Sequence, residues 1–158
     1  IIQKCYSPKV HKTRPYYKEC TVSEEWKNFQ NFKIWYKEHK GKVKQDLDKD
    51  ILFQGNKEYS PETCVYTTHF INTVFEDRGS KKLEETKEGK YKIFMMIMGE
   101  ERDLGVFDTK EECYEAFEKR KKEFIIKLAE KTKKKDKIPE CQYQAMINWE
   151  VKAKEKGK

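Results

Sequence analysis

The stretch Leu104-Gly105-Val106-Phe107-Asp108-Thr109-Lys110-Glu111-Glu112 constrains this chain more than any other. An alternating apolar run stops at an Asp-Thr pair. A glutamate stands three residues after each member, so Asp108 with Glu111 and Thr109 with Glu112 both have capping-box spacing. In such a box the cap oxygen accepts an orphan amide while the glutamate reaches back, so a strand must end and a helix begin within three residues. Downstream, Cys113, Ala116, Phe117, Phe124, Ile125 and Leu128 recur at helical spacing and predict the inner face of a long helix. Upstream, Tyr91 to Met98 is a β-type run, Gly99-Glu100 a turn and Arg102 to Phe107 a returning strand, with a weak edge strand around Leu83. After Ile138-Pro139, a final helix from Glu140 to about Lys152 carries Tyr143, Met146, Ile147, Trp149 and Val151.

The first half reads differently. Ile1 to Cys20 is rich in Lys, Tyr and Pro, and Ser7-Pro8 and Arg14-Pro15 predict turns with no helix beyond a turn. The opening Ile-Ile, with no Met, points to an upstream segment. Thr21-x-x-Glu24 has capping-box spacing and opens a helix in which Trp26, Phe29, Phe32 and Tyr36 form a buried stripe that Gly41 ends. Leu47 to Phe53 reads as a short strand with acids set into it, and Gly55-Asn56 as a turn. Cys64 to Thr67 reads as a second strand, and His69 to Phe75 as a helix. The polar stretch 78–89 is the expected boundary, giving an α+β chain in two parts, 1–80 and 81–158.

Charge separates the two parts further. The formal net charge is +7, and residues 119–137 hold ten Lys or Arg against Glu123, Glu130 and Asp136, which accounts for the whole excess. A run of this kind attracts phosphate backbones through sequence-independent electrostatics; the bland alternative is a solvated helix face. Although 40% of residues are charged, 13% are aromatic, enough bulky side chain for a core that disordered chains lack. The five cysteines are odd in number and show no Cys-x-x-Cys, and no signal peptide or membrane-length apolar run is present. These features predict reduced thiols, a cytoplasmic setting and no membrane partner. A zinc site from Cys5, His11 and Cys20 would lack a fourth ligand at suitable spacing.

Two segments resemble known families. Lys90-Tyr91-Lys92, Gly99 at a hairpin and the Leu104 to Glu112 element with its amphipathic helix are similar to the ERF-type DNA-binding domain, which phage and bacterial homing endonucleases also carry. The resemblance implies a three-stranded antiparallel sheet, packed on a long helix, that enters the major groove of double-stranded DNA. Here one strand face bears Tyr91, Ile93, Met95 and Ile97 and the other Lys92, Phe94, Met96 and Met98, where the family would show polar readers. The strand–loop–strand–helix from Leu47 to Phe75 resembles the HNH, or ββα-metal, motif of phage homing endonucleases. It implies a Mg²⁺ site with Asp48, Asp50 and Asn72 as ligands, Asn56 in the loop, and Lys49 or His69 in the catalytic role, since no histidine occurs in Leu47 to Phe53.

The leading expectation is therefore a phage-type DNA-binding protein related to HNH homing endonucleases, acting in a bacterial host's cytoplasm, with metal-dependent nicking or cleavage as its activity. Lys92, Arg102, Lys119, Arg120, Lys133, Lys134 and Lys135 are its expected DNA contacts. The competing expectation is a non-catalytic protein that binds and inhibits a host nucleic-acid-acting defence protein through Phe94, Met96 and Met98. His11 and His39 read as surface residues. Tyr16-Tyr17, beside Arg14 and Lys18, suits either a solvent-facing turn or base stacking.

Overall fold

The computed structural model describes residues 1–41, 44–76 and 79–153, and the chain forms two compact units, Ile1–His69 and Phe70–Lys158. The sequence pattern places the change of segment at the polar stretch 78–89. The structure places it earlier because side chains after His69 pack with later residues: Phe70 meets Phe124 edge-on at 6.5 Å between ring centres, and Phe75 meets Trp149 at 4.8 Å.

In the first unit the N-terminal residues correct the expectation of turns. They form helix α1 (Ile2–Tyr6), helix α2 (Pro8–Thr13) and a 3-10 turn (Pro15–Glu19). Pro8 and Pro15 each sit at the first position of a helical segment, the one place where a missing N–H costs nothing. The helix expected from Thr21 also starts later. Thr21–Val22 is strand β1, and Ser23 is the cap, its Oγ accepting from the Trp26 amide at 3.4 Å. Helix α3 (Glu24–Lys27) then breaks at Asn28, whose Oδ1 accepts from the Gln30 amide at 2.9 Å and starts helix α4 (Phe29–His39).

Three short strands follow: β2 (Asp46–Asp48), β3 (Glu58–Tyr59) and β4 (Val65–Thr67). The β1 strand runs parallel to β3, and β2 runs antiparallel to β4 with Asp46 opposite Thr67 and Asp48 opposite Val65. Beyond Asp48 the chain leaves the ladder, so the strand expected to reach Phe53 stops after three residues. Cys5, Cys20, Val22, Trp26, Trp35, Tyr59 and Cys64 form the buried core. Trp26 meets Trp35 edge-on at 4.7 Å and Phe32 at 5.1 Å, an arrangement that aromatic quadrupoles favour.

Helix α5 (His69–Phe75) leads into the second unit, buried there through Ile71, Val74 and Phe75. Strands β5 (Lys81–Glu85), β6 (Tyr91–Ile97) and β7 (Glu100–Phe107) form an antiparallel sheet in that order. Helix α6 (Lys110–Lys135) packs on it, and helix α7 (Glu140–Asn148) follows, ending before Trp149 rather than at Lys152. The hairpin between β6 and β7 turns on Met98-Gly99, one residue earlier than the sequence pattern suggests. Both turn residues have positive φ, 53° and 82°, the pairing that matches a twisted two-residue hairpin. Pairing then steps from Ile93 opposite Gly105 to Phe94 opposite Asp103, leaving Leu104 as the extra residue of a bulge; Gly105 takes φ +117° beside it, a conformation in which glycine meets no steric penalty.

Of the two capping boxes, Thr109 with Glu112 is the one formed. Thr109 Oγ1 accepts from the Glu112 amide at 3.2 Å, and Glu112 Oε2 accepts from the amides of Thr109 and Asp108 at 3.2 and 3.0 Å. The Tyr91, Ile93, Met95 and Ile97 face lies against α6, where Cys113 and Phe117 complete a cluster that also takes in Leu83, Leu104, Phe107 and Ala153. Mixed α+β architecture with a three-stranded antiparallel sheet on a long helix is thus what the chain adopts. Among the described residues no helix is long and apolar enough to cross a membrane.

Candidate functional site

Asp48, Lys49 and Asp50 occupy the bend that follows β2. Asp48 is 8% exposed, and its Oδ1 accepts from the amides of Asp50 at 2.9 Å and Ile51 at 2.6 Å, so the side chain closes the turn that ends the strand. Burial, with the Asp50 charge adding to it, pushes the Asp48 carboxyl up to about 7 despite those two amides. Lys49 is also 8% exposed; its Nζ lies 2.9 Å from Asp50 Oδ2 and 5.8 Å from the centre of the Tyr59 ring. Asn56 fastens the loop from the far side, donating from Nδ2 to the carbonyls of Lys49 and Glu58, both at 2.7 Å, and accepting from the Glu58 amide at 3.2 Å.

These contacts decide what the constellation can do. A divalent magnesium ion requires ionised carboxylate oxygens that are open to it and to its waters. Here one oxygen of Asp48 is committed to the backbone, the side chain is buried, and a lysine ammonium sits against Asp50. Asp48 and Asp50 therefore do not fit a magnesium centre. Asn72, the third ligand expected, belongs to the second unit, half-buried in α5. Among the described residues no three His, Cys, Asp or Glu side chains converge to hold a metal ion. The zinc alternative fares no better. Cys5 and Cys20 are core thiols packed among Val22, Trp26 and Tyr59. His11 Nε2 stands 3.1 Å from the Lys4 carbonyl.

The residue from the catalytic pair that keeps a chemically useful setting is His69. Its Nδ1 lies 2.7 Å from Asp46 Oδ2, and the side chain is 72% exposed. A carboxylate at Nδ1 fixes the tautomer and presents Nε2 as the proton acceptor. Asp46 escaped the sequence reading, which attends to Asp48 and Asp50. The β2–β4 register brings it there, since Asp46 pairs with Thr67, two residues before His69.

In the second unit the expected DNA contacts separate onto different surfaces. The sheet face turned away from α6 is electrically closed. Lys92 Nζ is 3.0 Å from Asp103, and Lys82 Nζ is 2.7 and 2.9 Å from Glu84 and Glu101. Both lysines lie over the Phe94 ring, at 5.1 and 5.4 Å from its centre. Phe94 is buried beneath these two lysines and Met96 is half-buried; Met98, at the hairpin tip, remains 52% exposed. Asp103 is held below the usual carboxylate range by Lys92 and the Gly105 amide.

Arg102 is opposite Met95, on the side of the sheet facing α6, with its guanidinium 5.1 Å from the centre of the Phe124 ring. Along α6, Lys119, Arg120, Lys127, Lys131, Lys133, Lys134 and Lys135 are exposed. Arg120 pairs with Glu123 at 3.3 Å, and Lys133 with Glu140 at 2.7 Å while lying over Tyr143. Two lysines of the basic run act within the fold instead. Lys121 is buried beside Phe117, and Lys122 donates to the carbonyls of Ile147 and Trp149 at 2.5 and 2.6 Å, tying down the end of α7. Lys119 and Lys122, with Glu118 and residues 148–152, line a shallow depression of about 640 Å³. Comparison with known proteins returns no match: no family model, no curated protein and no solved structure corresponds to this chain.

Proposed function

We propose that this chain is a DNA-associated protein built on the HNH/ERF plan of phage-type homing endonucleases, and that its primary act is to bind double-stranded DNA. The concentration of exposed cations on α6 carries this reading. Lysines so placed release condensed counterions from a phosphate backbone, giving affinity that falls steeply with salt. Anisotropy of a labelled duplex, titrated across a range of salt concentrations, tests it. The expected plot of log affinity against log salt is linear, with a slope of several units. Absence of binding at low salt, or binding indifferent to salt, rejects the reading.

Strand cleavage is an extension of it, supported by the Asp46–His69 pair. An imidazole oriented by a carboxylate can take a proton from an attacking water. Supercoiled plasmid is expected to be nicked by the native chain whether or not a divalent metal is added, and spared by His69→Ala and Asp46→Asn. Equal nicking by His69→Ala, or none by the native chain, removes this extension.

A second reading, a non-catalytic protein that docks on a host defence factor, is supported by Met98. A methionine at φ 53° and 52% exposed bears backbone strain and apolar exposure together, a combination found at interaction sites. Loss of partner capture with Met98→Asn, in a protein that does not bind DNA, is the result that favours it.

A further inference from the structure

The family plan puts DNA against the sheet, yet the charges of this chain are arranged the other way. On the outer sheet face every cation of the central pair is neutralised: Lys82 by Glu84 and Glu101, Lys92 by Asp103. Phosphate would have to displace three carboxylates to reach two ammonium groups. On the helix side, Arg102 is in no ion pair with a described residue and its guanidinium lies over the Phe124 ring. A guanidinium ordered by a ring instead of a carboxylate keeps its donor edge for an outside oxygen, and loses less rotamer freedom when it binds one.

Arg120, Lys127, Lys131 and Lys134 lie beyond it on the same helix. At 100° per residue they fall within about 60° of the helix circumference, and they extend over about 21 Å of its axis. Phe124 stands at the edge of this stripe and joins it to Arg102. Lys127, Lys131 and Lys134 are exposed and in no ion pair with a described residue. Along the same length of helix the buried residues Lys121, Ile125, Leu128, Ala129 and Thr132 centre about 130° around the circumference from the stripe, so the stripe faces away from the core.

We propose that the solvent side of α6, continued by Arg102 on its Phe124 shelf, is the surface that takes the phosphate backbone of duplex DNA, and that the outer face of the sheet does not contact it. This rests on the DNA-binding reading and specifies its surface. The stripe tracks one backbone, with Arg102 as a bidentate phosphate anchor at its sheet end.

Three variants of the full chain separate the surfaces, each read by duplex anisotropy over a salt series. The first is Lys127→Gln/Lys131→Gln/Lys134→Gln, the second Arg102→Gln, and the third Lys82→Gln/Lys92→Gln. The helix variant is expected to bind at least tenfold more weakly near 0.1 M salt, with a log–log slope reduced by about 3, since each lost phosphate contact removes about 0.9. Arg102→Gln is expected to weaken binding severalfold, and the sheet variant to stay within twofold of the native chain. Lys127→Arg/Lys131→Arg/Lys134→Arg should restore native affinity, which a merely misfolded helix variant would not predict. A sheet variant that loses tenfold while the helix variant binds normally overturns the proposal and leaves DNA binding standing. A native chain that does not bind duplex DNA overturns both.

Discussion

Asp46 Oδ2 and His69 Nδ1 stand 2.7 Å apart, linking the first residue of β2 to the first residue of α5. Because the imidazole is 72% exposed, this bond is worth little to the fold; solvent-exposed pairs contribute about 0.2–1 kcal/mol. Asp46→Asn and His69→Ala should therefore melt within a few degrees of the native chain. Thermal denaturation followed by circular dichroism checks this, and a large loss of stability would assign the pair a structural role.

Asp48 ties the stability of the first unit to pH. Its carboxyl is raised by burial and by Asp50, so the folded chain holds a proton there that the unfolded chain releases between the ordinary carboxylate range and about pH 7. More protons bound when folded means that this group's contribution falls as pH rises through that window, and is best below it. Asp48→Asn keeps an oxygen for the amides of Asp50 and Ile51 while removing the charge. It should flatten this part of the stability profile and be at least as stable as the native chain at pH 8. Asp48→Ala, which leaves both amides without that acceptor, should lose about 2–3 kcal/mol in chemical denaturation.

The start of α3 distinguishes two hydroxyls. Ser23 caps the helix, whereas Thr21 belongs to β1 and pairs with Glu58. Ser23→Ala is expected to cost about 1 kcal/mol, and Thr21→Val, which suits a strand, less than about 0.5 kcal/mol. A reversed order in urea titrations would restore the helix start at Thr21.

Thr109 and Glu112 satisfy each other's neighbouring amides, so their contributions should be coupled. Thr109→Ala is expected to cost about 1 kcal/mol, and the double variant with Glu112→Ala less than the sum of the two single changes. Strict additivity in the double-mutant cycle would contradict the reciprocal box.

How much of this was legible in the sequence differs between the halves. The second unit follows short-range rules: an alternating strand, a glycine and a box within nine residues leave one arrangement, and the sheet face to be buried follows from side-chain alternation. The first unit depends on contacts distant in sequence. Thr21-x-x-Glu24 has the spacing of a box, but Thr21 is captured by β3 some forty residues later, and Ser23 takes over the cap. Local spacing contains no sign of that competition. Asp48 was visible as an acid in an apolar setting, but its use by two backbone amides depends on the bend after β2. In α6 the i, i+4 and i+7 relation of Lys127, Lys131 and Lys134 is present in the sequence, and what structure adds is the neutrality of the competing sheet face.

That neutrality has a mutational consequence. The ammonium groups of Lys82 and Lys92 already lie over the Phe94 ring, so they keep a partner whether or not the acids remain. Replacing Asp103, Glu84 and Glu101 with neutral residues would uncover two ordered cations without repacking the sheet. Three substitutions thus separate a silent face from a cationic one, and a lineage could gain or lose a second binding surface through them while its core stays the same.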